Sequence, residues 1–208
     1  MTLQDLTTFT ATDPNSKWTL TTTRCTATNL PRNNDSYVWK DFGVGYFGDL
    51  RHLLDTQLTN VTGSISADNL IMGIWSINAG KGSYQDQDLN SHQLYWAPLA
   101  VTTTYTLIIA KGGTVIDRSV ALTLNTTYYL TITRSAAVFS VIICSDDNRT
   151  VIVDTITGNG STTSQRYLEV GFSRDATTSY SGSGYCENLN ILSKKTFGDG
   201  LFWSSQWI

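Results

Sequence analysis

This chain is short of charge, of proline, of cysteine and of long apolar runs, and each shortage narrows what it can be. Charged residues make up 15% of its 208 positions, with a formal net charge of -3 and a pI of about 5.2. No basic run or stripe breaks that balance, which argues against a nucleic-acid surface, where clustered Lys and Arg must neutralise phosphates. Cys25, Cys144 and Cys186 are an odd count without a CxxC pair. They read as buried reduced thiols, one disulfide plus a free thiol being the other arrangement. The longest apolar run is too short to span a bilayer, and the opening Met1–Leu6 is neither basic nor apolar enough for a secretory leader. No Pro/Ser/Gly-rich linker divides the chain, so residues 1–208 read as one domain. No segment sustains a helical period, and no fixed-length repeat appears.

What the chain has is alternation. Tyr128, Leu130 and Ile132 alternate with Tyr129, Thr131 and Thr133, and Phe139, Val141 and Ile143 alternate with Val138, Ser140 and Ile142. Leu168, Val170 and Phe172 likewise alternate with Tyr167, Glu169 and Gly171. A period of two means strands with one face on a core. Asp146-Asp147-Asn148, Gly158-Asn159-Gly160-Ser161 and Lys111-Gly112-Gly113 supply turns between them. Earlier strands are expected at Thr7–Ala11, Trp18–Thr22, Arg24–Thr28, Tyr37–Phe42, Arg51–Thr59, Leu70–Ile77 and Gln93–Trp96. Tyr105–Ala110 with Thr114–Val120 should form a hairpin, and Glu187–Leu192 a last strand. Gly80–Ser91 reads as a polar loop. Thr, the commonest residue, keeps a β preference while offering a hydroxyl to water. About a dozen short strands in one domain predict two antiparallel sheets stacked face to face, a jelly roll.

The segments Tyr128–Arg134, Ser145–Thr155, Arg166–Phe172 and Gly184–Ile191, and more loosely Val38–His52, resemble the concanavalin A-like lectin/glucanase superfamily. Among its members they are most similar to laminin-G-like modules of the environmental and phage-associated type. The resemblance implies an all-β concanavalin A-like jelly-roll sandwich. Its motifs are structural and say little about activity.

Function is read from the chemistry available. Retaining glucanases of this superfamily need two carboxylates about 5 Å apart, in a Glu-x-Asp-x-x-Glu strand. The only glutamates are Glu169 and Glu187, and neither stands in such a motif. A polysaccharide lyase needs a Tyr or His base; His52, beside Arg51, and His92 are the candidates, without the paired motifs of alginate lyase-like proteins. No nucleophile elbow or phosphate-binding glycine loop is present. Asp86, Asp88 and Asn90 alternate oxygen ligands as Ca²⁺ prefers, although turn-capping explains the same pattern. Glycan binding needs flat aromatic faces with polar groups around them. Trp39, Tyr46, Trp75 and Trp96 are the candidate rings. Trp18 and Trp75 read better as core, and Trp96, beside the polar loop, as the ligand-facing ring. Phe202, Trp203 and Trp207 form an apolar tail that folds back or docks on a partner. The expectation is a non-catalytic glycan-recognition or adhesion module on a virion or other extracellular surface. A structural virion or decoration protein, packing against like neighbours, is the second reading, and a lyase the third.

Overall fold

The computed structural model describes residues 2–32, 35–63, 69–84, 86–99, 104–174 and 180–193. The aromatic tail, with Phe202, Trp203 and Trp207, lies outside them. Fifteen strands run in chain order: β1 (Thr2–Leu3), β2 (Thr10–Thr12), β3 (Trp18–Leu20), β4 (Arg24–Pro31), β5 (Tyr37–Asp41), β6 (Leu50–Gly63), β7 (Met72–Asn78), β8 (His92–Pro98), β9 (Tyr105–Lys111), β10 (Thr114–Arg118), β11 (Tyr128–Ser135), β12 (Val138–Cys144), β13 (Ile152–Asn159), β14 (Tyr167–Phe172) and β15 (Tyr180–Ser193). They form two antiparallel sheets. One is ordered β13-β12-β11-β6-β15-β4-β3, with β1 added beside β15, and the other β10-β9-β8-β7-β14-β5-β2.

The alternation decides which residues meet between the sheets. Leu54, Leu58, Leu130, Ile132, Phe139 and Val141 from the first sheet pack on Ile74, Trp75, Leu94, Trp96, Leu107 and Leu168 from the second, all with no exposed surface. Each such side chain contributes about 1.5–3 kcal/mol by leaving water. A second apolar cluster forms on the outer face of the seven-stranded sheet, where Tyr84 packs with Tyr95, Ala97, Ile108, Ala110 and Phe172. Both faces of β7 and β8 are therefore covered, and every residue of these two strands is buried.

Two expected elements differ for local reasons. The strand expected at Thr7–Ala11 begins only at Thr10, because the Asp5 carboxylate accepts the Thr7 N–H and caps a single 3-10 turn, Leu6–Thr8. The last strand starts at Tyr180, well before Glu187, running through Ser-Gly-Ser-Gly. Gly182 and Gly184 are required there: a Cβ would lie 2.3 Å from the Ile71 side chain and 2.4 Å from the Gln57 carbonyl oxygen, respectively.

One flank is sewn between the sheets. The outermost strands β10 and β13 face each other, with the Asp117 carboxylate accepting the Thr157 N–H at 3.0 Å and Asp154 accepting the Val120 N–H at 2.7 Å. Ile116 presses on Gly158, where a Cβ would come within 2.1 Å of it. On the opposite flank the edge strands β2 and β3 are three residues each.

Candidate functional site

Strand register lines up one polar row on the outer face of the seven-stranded sheet. Trp39 of β5 pairs with Glu169 of β14, Glu169 with Ser76 of β7, and Ser76 with Gln93 of β8. The polar loop after β7 folds over the inner part of this row. Its Gly82 N–H donates to Glu169 Oε1 at 2.9 Å, and Gln87 Nε2 donates to Oε2 at 2.6 Å. The Ser76 hydroxyl adds a third bond to Oε2 at 2.9 Å, and Gln93 Nε2 holds Gln87 Oε1 at 2.9 Å. Glu169 has no exposed surface. Burial pushes its carboxyl up to about 8, against the pull of the Gly82 and Ser76 donors. Satisfied this way, Glu169 is the anchor of the loop and is sealed from any external substrate.

Where the loop ends its cover, the row emerges as an aromatic and charged cluster. Trp39 is half-buried and meets Tyr167 edge to face, with centroids 5.8 Å apart. Lys81, exposed on the loop, holds its Nζ 3.8 Å from the Trp39 ring centroid, and the Arg166 guanidinium lies 5.1 Å from that of Tyr167. Arg166 forks onto Asp41, Nε to Oδ1 at 2.9 Å and Nη2 to Oδ2 at 2.6 Å. That hydrogen bonding holds the Asp41 carboxyl down at about 2. The Trp39 indole N–H has no hydrogen-bond partner among the described residues. Strands β5 and β14 thus present two rings and a carboxylate, and the segments beside them add two cations to the same patch.

The other expected rings lie elsewhere. Trp75, a candidate ring that read better as core, and Trp96, expected on a ligand, have no exposed surface. Trp75 Nε1 donates to His52 Nδ1 at 3.0 Å and the ring stacks on Phe139; Trp96 Nε1 donates across the sandwich to Thr56 Oγ1 at 3.0 Å. The polar loop does flank β8, but it covers the outer face while Trp96 points inward. Tyr46 is 39% exposed on the turn after β5, packed on Phe42 and Phe47.

The residues expected to hold Ca²⁺ are engaged in hydrogen bonds of the loop itself. Asp86 accepts the Ser83 hydroxyl at 2.9 Å. Asp88 caps backbone on both oxygens, from Ala79 at 2.9 Å and Asn90 at 2.6 Å, and Asn90 Oδ1 accepts the Ser161 hydroxyl at 3.0 Å. Among the described residues no three His, Cys, Asp or Glu side chains gather as a metal site.

Nor are general bases available from histidine. His52 and His92 are fully buried, and burial lowers both to about 3, so both are neutral. Register does bring Glu187 opposite Asp55, on the outer face of the eight-stranded sheet. Each is committed, Glu187 to Arg24 and Asp55 to Arg149 and Asn188. Sequence reasoning placed Tyr167 and Glu169 on one face of their strand but missed Asp41, Lys81 and Arg166, whose proximity depends on pairing between distant strands.

No protein-family model matches the chain, and no curated protein matches its sequence. Solved structures do resemble it. The VIP36 exoplasmic/lumenal domain, in a Ca²⁺/Man3GlcNAc-bound form, superposes with a TM-score of 0.61 at 11% identity, over 95% of this chain and 90% of that one. A functionally unknown protein from Saccharomyces cerevisiae gives 0.57 at 12%, over 92% and 99%. An alginate lyase from Alteromonas sp. 272 gives 0.51 at 10%, over 89% and 94%. At such identities the likeness shows the fold, a concanavalin A-like sandwich of two antiparallel sheets.

Proposed function

We propose that this chain is a non-catalytic glycan-recognition module that binds at Trp39 and Tyr167. The observation that carries this reading is the half-exposed, edge-to-face ring pair on strands β5 and β14, flanked by Lys81, Arg166 and Asp41. A pyranose offers C–H faces to aromatic rings and hydroxyls to charged neighbours, and the patch supplies both. Lys81 covers the Trp39 ring on a flexible stem, so a bound sugar takes its place there while the ammonium donates to a hydroxyl. The mannose-containing glycan on the VIP36 domain, which shares this fold, supports the same class of ligand. A virion or other extracellular surface is the proposed setting, in keeping with the threonine-rich strands.

The test is an array of neutral and anionic glycans, read with and without Ca²⁺. Binding that is lost in Trp39→Ala and Tyr167→Ala, with thermal midpoints kept, is the expected result. Silence across the array, or binding indifferent to both substitutions, overturns the assignment.

A second reading, packing against like neighbours, draws on the edge strand β13 and the residue before it, where Val151, Ile152 and Val153 are 56%, 61% and 37% exposed. It expects a concentration-dependent dimer in sedimentation that Ile152→Lys dissolves; a monomer at all concentrations removes it.

A further inference from the structure

We infer that Cys25 and Cys186 are a cross-linking pair, closing in an oxidising environment into a disulfide that ties β4 to β15. Register makes them direct partners, between Thr26 with Tyr185 on one side and Arg24 with Glu187 on the other. The Arg24–Glu187 pair forms a 2.7 Å salt bridge on the outer face. By the two-residue period, the adjacent cysteine pair points inward, where exposure is 0% for Cys25 and 1% for Cys186. Opposed residues of an antiparallel ladder have Cα atoms about 4.5–5.5 Å apart, within the roughly 4.4–6.8 Å that a disulfide spans. Both thiols are free in this structure, with Cys186 Sγ 4.0 Å from the Cys25 carbonyl oxygen and 2.6 Å from that of Val170. Cys144 is different. Its cross-strand partners are Tyr129 and Ile152, so it has no cysteine to join and serves as an internal control.

The chemistry is exchange with a low-molecular-weight disulfide. One cysteine thiolate attacks a sulfur of the small disulfide and releases one small thiolate, leaving a mixed disulfide on the protein. The second cysteine thiolate then attacks the protein sulfur of that mixed disulfide and expels the other small thiolate. Two protein thiols are oxidised, one small disulfide is reduced to two thiols, and the two cysteine protons end on them. Burial raises the Cys25 thiol well above its ordinary range, so the folded pair reacts slowly. Closure therefore belongs to folding, once β15 has paired with β4 and before the second sheet buries the pair. The inference stands apart from the glycan reading.

The test refolds the full chain in a buffer of oxidised and reduced glutathione, then unfolds it under acid-quenched conditions and counts thiols. One reactive thiol, an intact mass about 2 Da below the reduced chain, and a non-reduced peptide joining Cys25 to Cys186 are expected. Reduction should lower the thermal midpoint by roughly 10 °C, because the link closes a long loop, from Cys25 to Cys186. Cys144→Ser should leave no reactive thiol. Three reactive thiols, glutathione adducts on Cys25 or Cys186, or a link through Cys144 overturn the pairing. Because the thiols are counted on the unaltered chain, the outcome does not depend on whether a cysteine variant folds.

Discussion

At the scale of single residues, what separates one tryptophan from another is which way its strand turns it. Trp39 and Trp96 both stand beside polar loop residues, yet one meets solvent and the other donates to Thr56 inside the sandwich. Trp39→Ala should weaken glycan retention by about tenfold or more, the loss of roughly 1.4 kcal/mol or more of contact, and move the thermal midpoint little. Trp75→Ala should cost about 3–5 kcal/mol of stability, because it opens a void against Phe139 and leaves the inward-facing Nδ1 of His52 without its donor. Titrating affinity and denaturation in parallel separates these outcomes. The sequence made the distinction legible for Trp75, which lies in a run apolar on both faces. It did not for Trp96, because adjacency to a polar loop says nothing about which face of the strand that loop covers.

At the scale of elements, the loop after β7 depends on one carboxylate. Gly82, Gln87 and Ser76 all donate to Glu169, so Glu169→Ala leaves three buried donors without an acceptor. The expected outcome is faster tryptic cleavage after Lys81, by about tenfold or more, at a rate that Glu169→Gln partly restores. Equal cleavage in all three proteins contradicts the anchoring role. Strands β11, β12 and β14 were readable from period-two alternation. The role of Glu169 was not: it alternates with apolar neighbours as a solvent-facing residue would, and nothing local announces that a loop returns to bury it. The glycine-rich opening of β15 failed for the converse reason, since its small residues answer to Ile71 and Gln57, distant in sequence.

At the scale of the whole molecule, buried titratable groups set opposing pH slopes. Folding raises Glu169 from 4.5 to about 8. Its contribution is therefore complete below its unfolded value and is lost as pH climbs to about 8. Folding lowers His52 and His92 from 6.5 to about 3, so theirs is present above 6.5 and lost as pH falls toward 3. Stability should peak roughly between pH 6 and 7. In Glu169→Gln the alkaline decline should flatten and the optimum move upward. Thermal midpoints measured from pH 4 to 9 check both, and an unchanged alkaline slope in the variant assigns the effect to other groups. The two-sheet architecture was legible because periodicity repeats over many strands. The strand order was not, since β6 pairs with β15 and β5 with β14 across most of the chain.

The sewn flank has a consequence for motion. With β10 and β13 stitched by Asp117, Asp154 and Ile116, local opening is expected first at the other side, where three-residue β2 and β3 form the margins. Trp39 stands on β5, next to β2, close to that margin. A ligand seated there should steady the β2–β5 pairing, visible as slowed amide exchange in β2 and β5 while the stitched flank stays unchanged.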